Sequence, residues 1–517
     1  MIISIIGGGA TGAAVLIALI REIKRAKVAE KITINIFEPH QLGRGLAYAN
    51  IDDCFLLNTS VCSTSLIASD YLDFFKWLKK NEKIWKKRYP KIKKYNQDSF
   101  LPRSLVGLYI ECAIKSEINS LKREERVALH VNHIKERVIN LDFKPKKQFI
   151  VIRTQKTTYF SKFCILCTGY SNGLPQAYQD LMQSSHYYPS PYLYAKKIKK
   201  IPRNKKILII GTRLSAVDAA ALLRNHHHVV MASRYGYLPA VRNCLRFMPA
   251  QYLTVEHQAK FFNKHKYNLS VRLIKKEIEK ELSLLSGQYI HLDKIKIRDS
   301  ALQQLREDIY LAEKKLNRWE DSIMTFIIFI GNAWLLLSLH EKKELLANEI
   351  NIINRYISAF PYVNAKILFG LIKKRKLSLR RGIKHIYLEN NHFRAVFSHN
   401  HHEHEEIYDY VINATSVEKN IRHSGEEFYN KLNQNNIIKY NHFNGIQVTE
   451  FFQIENNYNK QFYAAGPIIK GSALITNFLL SSAQQAEVIA KSICKEMSIK
   501  AENEHEDSFL YIKKTAR

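Results

Sequence analysis

The sequence has little cysteine, and none of its seven cysteines has the spacing of a zinc site or of a disulfide-rich scaffold. Cys164 and Cys167 form a C-x-x-C within an apolar strand pattern, where that spacing points them to opposite faces. We therefore predict that both are core residues and that the protein works in a reducing compartment, which we expect to be the cytoplasm.

The sequence also lacks the residue spacing of a metal site. The clusters "HHH" at 226–228 and "HNHHEHEE" at 399–406 fall at expected turns or strand ends, without a second set of ligands. We therefore predict no metal.

The sequence lacks a long apolar segment. The most membrane-like stretch, "IMTFIIFIGNAWLLLSL" at 323–339, has 17 residues and includes Gly331 and Asn332, which is short for a crossing. It predicts a buried helix, with shallow membrane contact as the alternative. An apolar strand begins almost at Met1, leaving no room for a secretory signal, so we expect neither secretion nor a transmembrane segment.

Acidic residues are few relative to basic ones: 79 Lys and Arg against 47 Asp and Glu give a net charge of +32. Such an excess could attract nucleic acid, an anionic membrane or an acidic substrate. The basic residues are spread along the chain, however, and no nucleic-acid-binding motif accompanies them. We interpret them as a solvated surface and expect no specific binding of nucleic acid.

What the sequence does contain is a dinucleotide fingerprint at its start. Ile2 to Ile6 is an apolar, β-branched run, typical of a strand buried on both faces, and a helical pattern follows. Between them lies Gly7-x-Gly9-x-x-Gly12, which predicts a tight turn, close approach of a pyrophosphate and close helix packing, respectively. The next strand ends at Glu38, whose carboxylate can accept hydrogen bonds from a ribose.

A repeat organises the rest of the chain. Strands are predicted around "VALHV", "ERVINLDF" and "FIVIRT" between 127 and 160, followed by "FCILCTGY". A second strand–turn–helix begins at Lys206 and is followed by the strand patterns "IKHIYLE", "FRAVFSH" and "YDYVINATS". The predicted fold class is α/β, with two Rossmann-like dinucleotide-binding domains, each carrying an antiparallel meander, plus an inserted helical region.

The predicted domains follow from this repeat. Residues 1–200 form the first part of one dinucleotide-binding domain, and residues 201–410 form a second one with a helical insertion at about 252–375. Residues 411–500 return to the first domain through a strand, a Gly466-Pro467 turn and a long helix, and 501–517 form a polar tail.

In these blocks the chain resembles the two-dinucleotide-domain flavoproteins, specifically the bacterial FAD/NAD(P)-binding group that includes a urate hydroxylase and an aspartate N-monooxygenase. The resemblance implies FAD in the first site and a reduced nicotinamide cofactor in the second. The matching segments are "IIGGGATG" at 5–12, "GRGLAY" at 43–48, "LLN" at 56–58, "FLPR" at 100–103, "CTG" at 167–169, "IIGTRLSAVD" at 209–218, "SRYGYLP" at 233–239, "INATS" at 412–416 and "AAGPIIKG" at 464–471.

The resemblance also implies site residues. Gly7, Gly9, Gly12 and Glu38 would hold the adenosine diphosphate half of FAD. Closer to the flavin would lie Gly45, Asn58 and Arg103, and Arg103 could compensate negative charge on a phosphate or on the reduced flavin. The alternative for Asn58 and Arg103 is loop structure and a surface ion pair.

Further residues would complete the first site. Thr168 and Gly169 would lie where the chain crosses between domains. Gly466 and Thr476 would approach the flavin end from the last helix.

The second turn departs from the first. It contains Gly211-x-Arg213-x-x-Ala216, where relatives typically have glycine at the middle position. Arg213 hinders close approach of a pyrophosphate to the backbone but could bind a phosphate through its guanidinium. The next strand ends in Ser233-Arg234, without an acid, which favours the 2′-phosphate of NADPH. The alternative is a retained fold in which Arg213 fills an empty pocket.

No side-chain nucleophile is evident, since "GSALI" and "HSGEE" lack the G-x-S-x-G elbow. We therefore predict that FAD and NADPH carry the chemistry. The predicted function is an NADPH-using monooxygenase that hydroxylates a small nitrogen-containing or heterocyclic substrate with O₂. The alternatives are a flavin oxidase or reductase without oxygen insertion, and a non-catalytic binding protein that uses its basic surface.

Overall fold

The computed structural model describes residues 1–26, 31–49, 52–122, 128–169, 176–223, 226–295, 298, 300–399, 402–415, 421, 427–456 and 461–497. The predicted polar tail at 501–517 lies outside these ranges. The strands are β1 (Ile2–Ile6), β2 (Ile32–Phe37), β3 (Leu129–Ile134), β4 (Val138–Lys144), β5 (Phe149–Thr154), β6 (Thr158–Ser161), β7 (Phe163–Leu166), β8 (Tyr187–Tyr188), β9 (Lys206–Ile210), β10 (His228–Ser233), β11 (Val241–Arg242), β12 (Phe360–Pro361), β13 (Leu377–Arg381), β14 (Ile383–Glu389), β15 (His392–His399), β16 (His402–Tyr408), β17 (Tyr410–Asn413) and β18 (Phe462–Ala464).

The helices divide between those that flank the sheets and those that lie between β11 and β13. They are α1 (Ala10–Arg25), α2 (Asp73–Lys80), α3 (Glu82–Arg88), α4 (Arg103–Leu121), α5 (Ala195–Ile198), α6 (Leu214–Leu223), α7 (Val255–His265), α8 (Val271–Ser286), α9 (Ala301–Glu313), α10 (Trp319–Leu336), α11 (Leu339–Glu344), α12 (Ile350–Ile357), α13 (Tyr362–Lys373), α14 (Glu427–Gln434) and α15 (Leu479–Glu496).

Two parallel sheets form the framework. The first has the order β18-β7-β1-β2-β3 and the second the order β13-β10-β9-β17-β8. Their central strands β1 and β9 are apolar runs with almost no exposed side chain, as expected where helices cover both faces of a sheet. The carboxyl ends of β1 and β9 lead directly into the turns before α1 and α6. The predicted fold class, with two Rossmann-like folds, is confirmed.

Each sheet carries a small antiparallel meander, β4-β5-β6 and β14-β15-β16, but the strand composition differs from the prediction. The strand predicted around 127–131 is β3, which pairs parallel with β2 from Ile32↔Leu129 to Phe37↔Ile134 and extends the first sheet. The third strand of the first meander is β6 instead. A half-buried edge strand and a meander strand share the same polar–apolar alternation, so the pattern does not separate them.

The second meander contains a strand that the sequence did not indicate. Residues 402–408, "HEHEEIY", form β16 and pair with β15, although nearly every side chain before Tyr408 is exposed. Interstrand hydrogen bonds and the buried Tyr408 hold this strand in place. Because its sequence is mostly polar, the hydrophobic pattern did not predict a strand here.

Helices α7 to α13 occupy the predicted helical insertion, whereas the limits of the domains stay predictions. The stretch predicted as a buried helix is α10, and Phe329, Ala333 and Trp334 on this helix are almost fully buried. Among the described residues, no helix combines the length and the apolar character needed to cross a membrane.

Candidate dinucleotide sites

The first glycine turn is fixed by packing. Gly7 has a φ of +100°, and a Cβ there would lie 2.5 Å from the carbonyl oxygen of Cys167. A Cβ on Gly12 would lie 2.0 Å from the carbonyl oxygen of Gly7. Helix α1 then begins with Gly9 as its N-cap, without a side-chain cap and without an acidic residue in its first turn. Its first N–H groups can therefore serve an anion.

A second glycine loop closes over this turn. A Cβ on Gly9 would lie 3.4 Å from the Cα of Gly45, so two backbones face each other without an intervening side chain. The loop is held by Arg44, whose buried guanidinium donates to Glu111 Oε2 at 3.0 Å. The amide of Gly43 also donates to the carbonyl oxygen of Gly8, at 2.6 Å. The two backbones are thus in close contact, which only glycine allows, and they meet beside the helix N-terminus that can bind a pyrophosphate.

Glu38 lies where predicted, directly after β2. Its Oε2 accepts from the amide of Gly8 at 3.0 Å, and its Oε1 accepts from the amide of His40 at 3.0 Å. These bonds fix the carboxylate beside the glycine turn. Each oxygen keeps a further lone pair, so the group can still accept from ribose hydroxyls.

The structure brings Thr168 and Gly466 to the same turn. The Cα of Thr168 lies 2.9 Å from the position of a Cβ on Gly7, and its hydroxyl pairs with Tyr429 Oη at 2.6 Å. A Cβ on Gly466 would lie 2.7 Å from Thr11 Oγ1 in the first turn of α1. The predicted residues Gly7, Gly9, Gly12, Glu38, Gly45, Thr168 and Gly466 therefore surround one helix N-terminus.

Two other predicted residues are placed differently. Gly169 has a φ of +73° and open space around the position of its missing Cβ. Thr476 is buried, but α15 begins only at Leu479, so Thr476 belongs to the loop before the last helix and not to the helix itself.

Arg103 connects the two dinucleotide folds. It is the first residue of α4, and its Nη2 lies 3.4 Å from Oδ2 of Asp218 on α6. The hydroxyl of Tyr192 donates to the same carboxylate oxygen at 2.9 Å. The guanidinium also lies 5.5 Å from the centroid of the Tyr192 ring. Burial raises the pKa of Asp218 to about 6, and Arg103 and Tyr192 limit this rise. Sequence patterns pointed to neither Asp218 nor Tyr192.

Asn58 lies at a contact with β11 and the residues that follow it in the second fold. Its carbonyl oxygen accepts from Arg242 Nη1 at 3.5 Å, and the neighbouring Ser60 Oγ accepts from the amide of Leu245 at 2.6 Å. Arg242 is fully buried, and burial lowers its pKa to about 10. Asn58 and Arg103 are thus each engaged across the junction of the two folds, and their predicted flavin roles stay predictions.

The second turn keeps its backbone form. Gly211 has a φ of +119°, and a Cβ there would lie 2.9 Å from the carbonyl oxygen of Ala414. The Arg213 side chain points outward and is exposed, and its Nη2 donates to Asn351 Oδ1 on α12 at 3.3 Å. The arginine therefore reaches the inserted helices, and its predicted contact with a phosphate stays a prediction.

Ser233 organises the end of β10. Thr212 Oγ1 donates its one proton to the Tyr237 carbonyl oxygen at 2.6 Å, so it accepts from Ser233 Oγ at 3.0 Å. The Ser233 oxygen also accepts from the amide of Gly236 at 2.9 Å. Its proton is therefore used within the protein, and its predicted contact with a 2′-phosphate stays a prediction.

Arg234 is a neighbouring residue that can contact a 2′-phosphate, and the structure adds Arg381 and Tyr235 at the same end of the sheet. Arg234 is exposed at the carboxyl end of β10. Arg381 ends the adjacent strand β13, opposite Ser233 in the register. Tyr235 is 61% exposed and stacks on Tyr237, with ring centroids 5.8 Å apart. Arg381 is 147 residues from Arg234 in the chain, so only the strand pairing reveals this pair.

The described residues contain no group of three or more His, Cys, Asp or Glu that could hold a metal ion. Of the two histidine clusters, the described part of 399–406 belongs to β15 and β16, and Asn400 and His401 lie outside the described residues. Cys164 and Cys167 are free and buried, as predicted for core residues.

Comparison with known proteins supports the first fold directly. Residues 4–171 match the family model described as FAD-NAD(P)-binding. No curated protein matches the chain.

Solved structures resemble nearly the whole chain at low identity. L-lysine 6-monooxygenase from Pseudomonas syringae is 14% identical, with a TM-score of 0.57, covering 96% of this chain and 99% of its own. An ornithine N-hydroxylase from Kutzneria sp. 744, solved with reduced FAD, NADP⁺ and L-ornithine, is 11% identical, with a TM-score of 0.56 and the same coverage. A cadaverine monooxygenase from Erwinia amylovora, bound to FAD, is 14% identical, with a TM-score of 0.56, covering 96% of this chain and 94% of its own. Residues 4–171 therefore match an FAD-NAD(P)-binding family, and the solved structures share the fold of two dinucleotide-binding units over nearly the whole chain.

Proposed function

We propose that the protein is an FAD-dependent monooxygenase that uses NADPH and O₂ to hydroxylate a small nitrogen-containing or heterocyclic substrate. The observation that carries this proposal is the presence of two dinucleotide folds in one chain, in the arrangement shared with N-hydroxylating monooxygenases over 96% of the chain. The narrower group with a urate hydroxylase and an aspartate N-monooxygenase stays a resemblance of motifs.

FAD is supported by the geometry of the first turn. Gly9 and Gly45 carry no side chain that could cover the N-terminus of α1, the N–H groups of that helix end can bind a pyrophosphate, and Glu38 offers acceptors for a ribose. Bound there, FAD would supply the electron transfer and the reaction with O₂. The chain's own residues bind and orient the cofactor and keep water from it.

NADPH is supported by the charge at the second sheet. Arg213, Arg234 and Arg381 all lie at the carboxyl ends of its strands or in the turn that follows β9. Guanidinium groups bind phosphate through paired hydrogen bonds, and no acid occupies the position that would favour NADH. Tyr235 offers an exposed ring on which an adenine can stack.

A nitrogen substrate is proposed because the similar solved enzymes are named for ornithine, lysine and cadaverine. An amine nitrogen is a nucleophile, which suits the oxygen-transfer chemistry that FAD would supply when bound. The substrate and O₂ are the proposed small-molecule partners.

The deciding experiment is an absorption spectrum of the purified protein, followed by NADPH addition under nitrogen. We expect a yellow protein that releases FAD, and not FMN, on denaturation, and whose flavin absorbance bleaches with NADPH. Admission of air with a panel of amines should then give a hydroxylated product from at least one of them. A colourless protein that cannot be reconstituted with FAD would refute the proposal. Hydrogen peroxide equal to the NADPH consumed with every amine would indicate an oxidase instead.

A further inference from the structure

A pocket of about 440 Å³ lies between the inserted helices and the C-terminal return of the chain. One wall is formed by α10 and α11, and the other by residues 441–455 and 471–484. Much of the lining is apolar, with Met324 and Ile327 on one wall and Phe443 and Phe478 on the other. Such a partly open, apolar concavity is typical of a site for a small organic ligand.

Two hydrogen-bond donors belong to residues that line this pocket, and the first of them is buried without an acceptor. The Nδ2 of Asn332 is buried and has no hydrogen-bond partner. Lys342 is half-buried, its Nζ lies 5.5 Å from the centroid of the Trp334 ring, and among the described residues no carboxylate lies within 4.0 Å of it. Burial lowers the pKa of Lys342. A buried donor without an acceptor costs free energy, which a ligand acceptor would recover.

The pocket adjoins the segment predicted to approach the flavin. Trp334 Nε1 donates to the carbonyl oxygen of Gly471 at 2.9 Å, and its ring packs against Phe443 at 5.3 Å. These contacts hold α10 against the loop that contains Thr476. Residues 471–475 and Phe478, on either side of Thr476, line the pocket.

We propose that this pocket binds the organic substrate, and that the substrate has an apolar body ending in an anionic acceptor, such as a carboxylate, which Asn332 and Lys342 bind. The assignment of the ligand as substrate rests on the proposed function.

Two carboxylates in the pocket lining limit the class of ligand that the pocket can bind. Glu450 and Glu455 are exposed, and Glu455 already accepts from Gln447 Nε2 at 3.1 Å. They disfavour a second anionic group on the ligand but not a neutral or cationic nitrogen. The proposed ligand therefore carries one anion.

Gly331 allows the pocket to be filled without disturbing the fold. It lies within α10 and lines the pocket, and no atom lies within 4 Å of the position of its missing Cβ. Leucine is intrinsically a better helix former than glycine, so Gly331→Leu should fold. Gly370 on α13 has the same open Cβ position but does not line the pocket, and Gly370→Leu is the matched control.

The test is a calorimetric titration of the flavin-loaded protein with octanoate, with 1-octanol as a neutral probe of equal chain length. Octanoate should bind the wild type and Gly370→Leu equally and saturably. Gly331→Leu should weaken binding at least tenfold, or about 1.4 kcal/mol. Lys342→Met should weaken octanoate binding by a similar factor, while the affinity for 1-octanol should change less than threefold. Lack of saturable octanoate binding, or equal binding by the two leucine variants, would overturn the proposal.

Flavin reduction separates this proposal from the proposed function. Under nitrogen, NADPH should bleach the wild type without any organic ligand, because the pocket takes no part in hydride transfer. Wild type that binds octanoate as expected but stays oxidised would contradict the monooxygenase and leave the pocket as a site for an anionic ligand. Bleaching without octanoate binding would overturn the pocket proposal and leave the proposed function standing.

Discussion

Replacing Arg103 by methionine should make the stability of the protein depend on pH above pH 6. Methionine retains much of the side-chain volume but removes the charge beside Asp218. Asp218 is buried, and its remaining partner is the hydroxyl of Tyr192, at 2.9 Å. The variant therefore retains a buried carboxyl group without its cation, the arrangement that is most costly for a buried ion pair.

The magnitude follows from the pKa of Asp218, which burial raises from 3.8 to about 6. A raised pKa in the folded state means that stability falls as the pH rises from about 4 to 6 and is constant above that. Without Arg103 the pKa rises further, so stability continues to fall above pH 6. At about 1.36 kcal/mol per pKa unit, the variant should lose up to about 3 kcal/mol more than the wild type between pH 6 and pH 8.

Urea unfolding of the flavin-loaded protein at pH 5 and pH 8, followed by circular dichroism, measures this difference. The variant should be closer to the wild type at pH 5, where Asp218 is protonated in both proteins. Arg21→Met is the control. Arg21 on α1 is exposed and pairs at 2.6 Å with Glu117, which lies on α4, the helix that contains Arg103. Its effect should stay below about 1 kcal/mol at both pH values.

Equal losses of stability at pH 5 and pH 8 would refute the ionic role of this pair. Such a result, together with loss of flavin reduction by NADPH, would instead support the flavin-side role that the sequence motif predicts for Arg103.

Three further predictions concern the dinucleotide turns. Gly9→Arg places a long side chain against the backbone of Gly45 at the helix N-terminus and should abolish FAD retention, measured by flavin absorbance after gel filtration; a yellow variant would contradict the site. Arg234→Ala should weaken NADPH use by about 1.5–3 kcal/mol in steady-state kinetics with little effect on NADH, and equal losses would exclude a 2′-phosphate contact. Arg213→Gly should reduce flavin at a similar rate with altered NADPH affinity, because closer backbone approach offsets the lost charge. Wild type that stays oxidised in millimolar NADPH beside a variant that bleaches would show that Arg213 closes the site.

The first dinucleotide fold was predictable because its signals are local. Apolar β-branched residues from Ile2 to Ile6 specify a buried strand, and the spacing of Gly7 and Gly12 specifies the turn into α1. The same local logic predicted the second turn at Gly211. Where two structures share one local pattern, as with β3 and β6, the prediction was wrong, since pairing partners decide between an edge strand and a meander.

The sequence by itself therefore determined the two parallel sheets, the glycine turns and the helical insertion, because strand, turn and helix depend on residues close together in the chain. Only the tertiary structure decided which distant side chains meet. Arg103 and Asp218 are 115 residues apart, and the pocket wall opposite Asn332 and Lys342 comes from residues 441–455 and 471–484, much later in the chain. Such contacts depend on how the folds and the insertion pack together, and no local periodicity records that packing.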